Sequence, residues 1–150
     1  MIFTSNSTEE TEALGKRLAK GLDGSKISHA LIALRGEMGV GKTAFVRGFA
    51  SYFDISGVKS PTYTVVNEYH GSSNIYHFDM YRIESEDDLY SIGFDEYIDK
   101  DGYAILEWSE NVAEFLPDNV ITVTISRLDG DVSLRKIEII ADGIYDNISI

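Results

Sequence analysis

Leu14, Leu18 and Leu22 recur every four positions, which places them on one stripe of a helix. Ahead of that stripe, Ser7-Thr8-Glu9-Glu10 has the form of a capping box, with Ser7 as N-cap and Glu10 reaching back to it. Ile2-Phe3-Thr4 predicts a short strand before the helix, and Gly21 or Gly24 can end the helix. The pattern then changes. His29-Ala30-Leu31-Ile32-Ala33-Leu34 is continuously apolar after its first residue, as expected of a parallel strand covered on both faces.

Thr43 to Tyr52 predicts a second helix, with Phe45, Phe49 and Tyr52 on its apolar side. Tyr63 to Tyr69 alternates as a strand does. Beyond a turn at Gly71-Ser72-Ser73-Asn74, Ile75 to Asp79 predicts the second arm of a hairpin. On that arm, period two puts Ile75, His77 and Asp79 on one face and Tyr76 and Phe78 on the other. Ser85-Glu86-Asp87-Asp88 is a second capping box, opening a short acidic helix before Gly93. Tyr103 to Leu106 predicts another buried strand, ending at Glu107. Val120 to Ser126 and Leu134 to Ile140 predict two late strands around a turn at Asp129-Gly130. These elements predict an α/β sandwich whose central sheet is mixed but mainly parallel and flanked by helices.

Between the first apolar strand and the second helix lies Gly36-Glu37-Met38-Gly39-Val40-Gly41-Lys42-Thr43, a full match to the phosphate-binding pattern G-x-x-x-x-G-K-[ST]. Its glycines let the backbone turn so that successive N–H groups point inward at a phosphate. The helix that follows adds its positive N-terminal end. Lys42 is then placed to reach the β- and γ-phosphates and the Thr43 hydroxyl to bind magnesium. The predicted ATP-binding segment runs from Glu37, Met38, Gly39, Val40 and Gly41 through Lys42 and Thr43 to the adjoining Ala44. A chance match in a chain of this length is on the order of one in a few hundred from average residue usage.

Such a loop needs an acid on a neighbouring strand to hold or order the metal. Glu107 and Asp79 each end a predicted strand. Both are candidates, one closer to magnesium and the other orienting the attacking water, and the sequence leaves open which is which. Lys42, Asp79 and Glu107 form the predicted catalytic set. Ser60-Pro61-Thr62-Tyr63-Thr64 sets hydroxyls around a rigid proline, a composition suited equally to a switch that senses the γ-phosphate and to a plain turn into a strand. Trp108 could line the site or pack in the core. His70 and His77 lack a third soft ligand and make a poor metal pair.

Composition narrows the class. One hundred and fifty residues suit one domain, which at this size buries roughly 68–70% of its unfolded surface. The expected organisation is a single P-loop ATPase domain over residues 1–150. The absence of cysteine excludes disulfides and thiolate chemistry. No apolar run approaches the roughly 20 residues of a membrane span, and the first residues lack the form of a signal peptide, so the expected location is cytoplasmic. Thirteen basic against twenty-five acidic residues give a net charge of −12, a field that repels RNA, so if the protein acts on RNA a partner is expected to hold it; the same acidity also serves solubility. No Asn-Lys-x-Asp element is present to recognise guanine, which favours adenine.

Several phrases together resemble the TsaE (YjeE) family. They are Gly36 to Thr43 with Phe45-Val46-Arg47-Gly48, then Val58-Lys59-Ser60-Pro61-Thr62-Tyr63-Thr64, then Tyr76-His77-Phe78-Asp79-Met80-Tyr81-Arg82, and finally Leu106-Glu107-Trp108 with Leu116-Pro117. The resemblance covers Thr8 to Pro117 and implies an ATPase required for threonylcarbamoylation of adenosine 37 in tRNAs that read codons beginning with A. It implies TsaD- and TsaB-type subunits as partners, slow hydrolysis by the isolated chain, and ATP and Mg2+ as cofactors. It implies Thr43 and Glu107 as magnesium ligands, Asp79 as a metal-linked or catalytic acid, residues 60–64 as a switch facing the partner, and Thr8 and Thr11 as residues near the nucleotide. From Asp118 onward no family motif is recognisable.

Two other readings compete. A free-standing small-molecule kinase could use the same loop, although no arginine-rich lid is evident and Arg47, Arg82, Arg127 and Arg135 are scattered. A nucleotide-gated adaptor could bind ATP and a partner without productive hydrolysis.

Overall fold

The structure, a computed structural model, describes residues 1–62 and 64–150. Seven strands form one sheet in the order β1-β7-β6-β2-β5-β4-β3. They are β1 Ile2–Ser5, β2 His29–Arg35, β3 Val66–His70, β4 Asn74–Asp79, β5 Gly102–Glu107, β6 Ile121–Arg127 and β7 Arg135–Ala141. β2 pairs in parallel with β5 and β6, and β4 with β5, while β1–β7, β6–β7 and β3–β4 are antiparallel. The sheet is therefore mixed, with its parallel strands in the middle.

The continuously apolar strands are covered on both faces, as their sequences require. Ile32 and Leu34 of β2, Ile75 of β4 and Tyr103 and Ile105 of β5 join one core with Leu18 and Leu22 of α1 (Thr8–Gly24) and Phe45 and Phe49 of α2 (Lys42–Tyr52). Tyr76, Phe78, Ala104 and Leu106 face the opposite way, onto Leu89 of α3 (Glu86–Ser91) and Phe94 of α4 (Phe94–Ile98). α1 and α2 approach so closely that a Cβ on Gly48 would collide with the carbonyl of Glu12.

Local signals had local outcomes. Ser7 caps α1 by accepting from the Glu10 amide at 3.1 Å, but the Glu10 carboxylate accepts from the amide of Asn6, one residue beyond the N-cap. Gly21 does not end α1. It lies buried inside the helix against Ser149, and the helix runs on to Gly24. Ser85 caps α3 in the same way, at 3.2 Å from the Asp88 amide.

The predicted strand from Tyr63 starts later, at Val66; Tyr63 itself lies outside the described residues. The reason is at Val65, whose φ of +67° is incompatible with a strand and whose amide closes a turn onto the Pro61 carbonyl at 2.9 Å. The short α4 after Gly93 and a 3-10 helix over Ser109–Phe115 carry too few residues to show a periodicity and were not predicted.

Candidate functional site

The carboxyl ends of β2, β4, β5 and β6 meet at one edge of the sheet, where open α/β sheets bind ligands. β2 ends at Arg35 and the chain turns through Gly36 to Gly41 into α2. Three glycines take left-handed backbone angles here, Gly36 at +146°, Gly39 at +78° and Gly41 at +116°, conformations that residues with a Cβ rarely adopt. The loop is held from several sides. Arg135 Nε donates to the Val40 carbonyl at 3.0 Å, Arg127 Nη2 to the Met38 carbonyl at 3.3 Å, and Arg127 Nη1 to the Glu37 carboxylate at 3.2 Å. The Gly36 amide donates to Glu110 at 3.4 Å.

Register sets the acids. Asp79 and Glu107 are direct neighbours across the parallel pair β4–β5. Both are nearly buried, at 8% and 5% exposure. The Thr43 hydroxyl donates to Glu107 Oε1 at 3.3 Å. Glu107 Oε2 is 2.8 Å from Nε2 of His77, which is fully buried. Asp79 Oδ1 accepts from the Tyr81 amide at 2.9 Å. The ammonium of Lys42 donates to the Gly36 carbonyl at 2.6 Å and stands over the Trp108 ring, 3.8 Å from its centre. Burial pushes its pKa below the ordinary 10.5, against the opposing pull of Glu107, Glu110 and Asp79.

Three cavities border the loop. One, of about 610 Å³, lies beside Gly36, Glu37 and Val40 with Glu110 and Arg127. A second, of about 470 Å³, gathers Lys42, Thr43, Asp79, Glu107 and Trp108 with Met38, Ser60, Thr62, Tyr81 and Arg82. The third, of about 210 Å³, adjoins it between Thr8 and Thr11 on α1 and Gly39, Val40, Gly41 and Ala44, with Asn6, Ser133 and Arg135 beside them. Nearly every predicted site residue thus borders one of two adjoining spaces. Two are arranged in ways the sequence did not show. The Thr11 hydroxyl is paired in the interior with Ser5 at 2.8 Å, so Thr11 turns its methyl side toward Gly41. The Glu37 side chain is exposed and held by Arg127.

Hard oxygen donors are what magnesium requires, and Thr43, Glu107 and Asp79 supply them. Neighbouring corners of an octahedral magnesium shell are roughly 3 Å apart, close to the Thr43–Glu107 separation. No cluster of three His, Cys, Asp or Glu residues that could hold a metal occurs among the described residues. The residues present fit the ion.

Sequence reasoning overlooked three contributors. His77 shares a face with Asp79 by simple alternation, but its contact with Glu107 depends on the β4–β5 register. Arg127 and Arg135 read as scattered, yet the β6–β7 hairpin brings both to the loop. There they serve loop carbonyls and do not stand free to close over a donor nucleotide, so the kinase reading gains no support.

A glycine-bound phosphate cradle, its lysine and hydroxyl, and acids at adjacent parallel strand ends define a P-loop nucleotide-binding protein. Comparison with known proteins narrows the class. The sequence model of the Threonylcarbamoyl adenosine biosynthesis protein TsaE matches residues 5–137, and the chain belongs to that family. It is 36% identical over 139 residues to the tRNA threonylcarbamoyladenosine biosynthesis protein TsaE of Rickettsia conorii, covering 91% of this chain and 77% of the relative. The protein of the same name from Bacillus subtilis is 36% identical over 125 residues, covering 82% and 75%. That from Haemophilus influenzae is 40% identical over 113 residues, covering 74% and 70%. The crystal structure of Bacillus subtilis YdiB superposes with a TM-score of 0.77 at 30% identity, covering 95% of this chain and 86% of that one. No helix among the described residues is long and apolar enough to cross a membrane.

Proposed function

We propose that the chain is a magnesium-dependent ATPase that serves tRNA N6-threonylcarbamoyladenosine synthesis as an accessory subunit, acting in one P-loop domain with TsaD- and TsaB-type partners that hold the tRNA. The names of its relatives and the family membership support the pathway. The observation that carries the chemistry is the Thr43 hydroxyl facing Glu107 Oε1 at 3.3 Å, beside the phosphate loop.

In this reading the phosphates lie in the cavity lined by Lys42 and Thr43, on the amides of residues 39–43, and the nucleoside extends toward Thr8 in the adjoining one. Lys42 leaves the Gly36 carbonyl and the Trp108 face to neutralise the β- and γ-phosphates. Thr43 and Glu107 hold magnesium, which supplies charge neutralisation of the phosphoryl group. Asp79, with one oxygen fixed by the Tyr81 amide, keeps the other for the attacking water. The acidic surface is consistent with RNA being held by a partner.

The test combines ATP hydrolysis, nucleotide binding and tRNA modification with reconstituted TsaD and TsaB counterparts. For Glu107→Ala, hydrolysis and modification are both expected to fall while nucleotide binding survives. Modification that persists without hydrolysis would favour the adaptor. Rapid multiple turnover by the isolated chain would count against the accessory role.

A further inference from the structure

We propose that His77 is a positioning residue that fixes the carboxylate of Glu107. This rests on the reading of Glu107 as the acid on the metal side. His77 is fully buried in β4, on the sheet face that also carries Ile75 and Asp79, and Ile105 is its neighbour across β5. A polar ring in such surroundings costs free energy unless it is bonded. Its Nε2 meets Glu107 Oε2 at 2.8 Å, and its Nδ1 is buried with no partner among the described residues. A carboxylate only accepts, so the shared hydrogen belongs to Nε2.

Glu107 has no lysine or arginine within ion-pairing distance among the described residues. Its two oxygens are therefore divided. His77 holds Oε2 from beneath, inside the sheet, and Oε1 is left facing the Thr43 hydroxyl. Without the imidazole, Oε2 would be a buried acceptor lacking a donor, free to rotate toward the cavity and exchange places with Oε1. Partners of this kind orient a metal-binding group and typically change metal affinity or activity by 10–100-fold. An apolar residue could fill the same space at less cost, so packing alone does not explain a histidine here.

The variants His77→Gln, His77→Asn and His77→Ala separate orientation from packing. Glutamine can place an amide N–H near the position of Nε2; asparagine is polar but too short, and alanine offers nothing. Each is assayed for kcat and KM for ATP, for the magnesium concentration that half-saturates hydrolysis, and for the rise in melting temperature given by ADP with and without Mg2+. For the Asn and Ala variants, kcat is expected to fall and the magnesium requirement to rise, each by about 10–100-fold. Their KM and the stabilisation by ADP alone should stay near wild type, whereas the added stabilisation by Mg2+ is lost. His77→Gln should recover most of the loss.

The proposal is overturned if Gln and Ala behave alike, if the magnesium requirement does not move, or if none of the three folds, which would make His77 a core residue only. Glu107→Gln tells the two readings apart. If it leaves the magnesium requirement untouched, the assignment of Glu107 fails and the role of His77 fails with it. If it abolishes the magnesium effect while His77→Ala does not, only the role of His77 is lost.

Discussion

The ammonium of Lys42 rests 3.8 Å from the centre of the Trp108 ring, a cation–π contact inside the cavity assigned to the phosphates. Phosphates are expected to recruit Lys42 away from that ring. Trp108 is the only tryptophan in the chain, so its emission reports the move directly. Addition of ATP is expected to change Trp108 fluorescence saturably. In Lys42→Ala the free protein should already show altered emission, and nucleotide should change it little. An unchanged wild-type spectrum at saturating ATP, with binding verified by calorimetry, refutes the displacement.

Asp79 and Glu107 share a rung of the sheet, and the proposed mechanism gives them different roles. Asp79→Asn keeps the acceptor for the Tyr81 amide and removes the charge available to a water. Single-turnover hydrolysis should fall by about 10²–10⁴-fold, the usual range for losing a general base. The magnesium requirement should remain close to wild type, in contrast to Glu107→Gln. If both variants shift that requirement equally, the division of labour is wrong.

Arg135 spends its donors on backbone carbonyls: Nε on Val40 and Nη1 on Val132 and Leu134. Arg135→Ala should loosen the phosphate loop without touching a reacting atom. KM for ATP is expected to rise roughly tenfold, equivalent to about 1.4 kcal/mol, with a smaller change in kcat. Fluorescence titration and steady-state kinetics check the split.

Tyr103 lies buried, its hydroxyl donating to the Ile27 carbonyl at 2.6 Å, and burial pushes its pKa up to about 12. A folded-state value raised above the unfolded 10 contributes stability that is complete below pH 10 and lost as pH rises toward 12. The loss from this group is on the order of 2–3 kcal/mol at most. Urea unfolding at successive pH values should show the decline beginning near pH 10. Tyr103→Phe should start lower at neutral pH and decline less steeply.

Sequence alone revealed the elements whose cause is local. The capping serines, the apolar strands and the phosphate loop each carry their signal within about ten residues. Asp79 and Glu107 were legible as strand ends, but their relation was not. It depends on β4 and β5 pairing in parallel with Asp79 opposite Glu107, a fact of register between segments far apart in the chain. Arg127 and Arg135 were invisible for the same reason, since nothing near them in sequence points toward residues 36–41. The start of β3 was misplaced because Val65, a strand-favouring residue type, is held at positive φ by the turn from Pro61.

That turn ties into the hairpin behind it. Its carbonyl at Val65 accepts from the amide of Asp79 at 2.8 Å, and Lys59, just ahead, is fastened through both its amide and its carbonyl to Tyr69 and Asn67 of β3. Lys59 is therefore fastened to the edge strand, and Val65 to the backbone of Asp79. The Val65 carbonyl, at the start of the edge hairpin, thus stands one hydrogen bond from the main chain of Asp79.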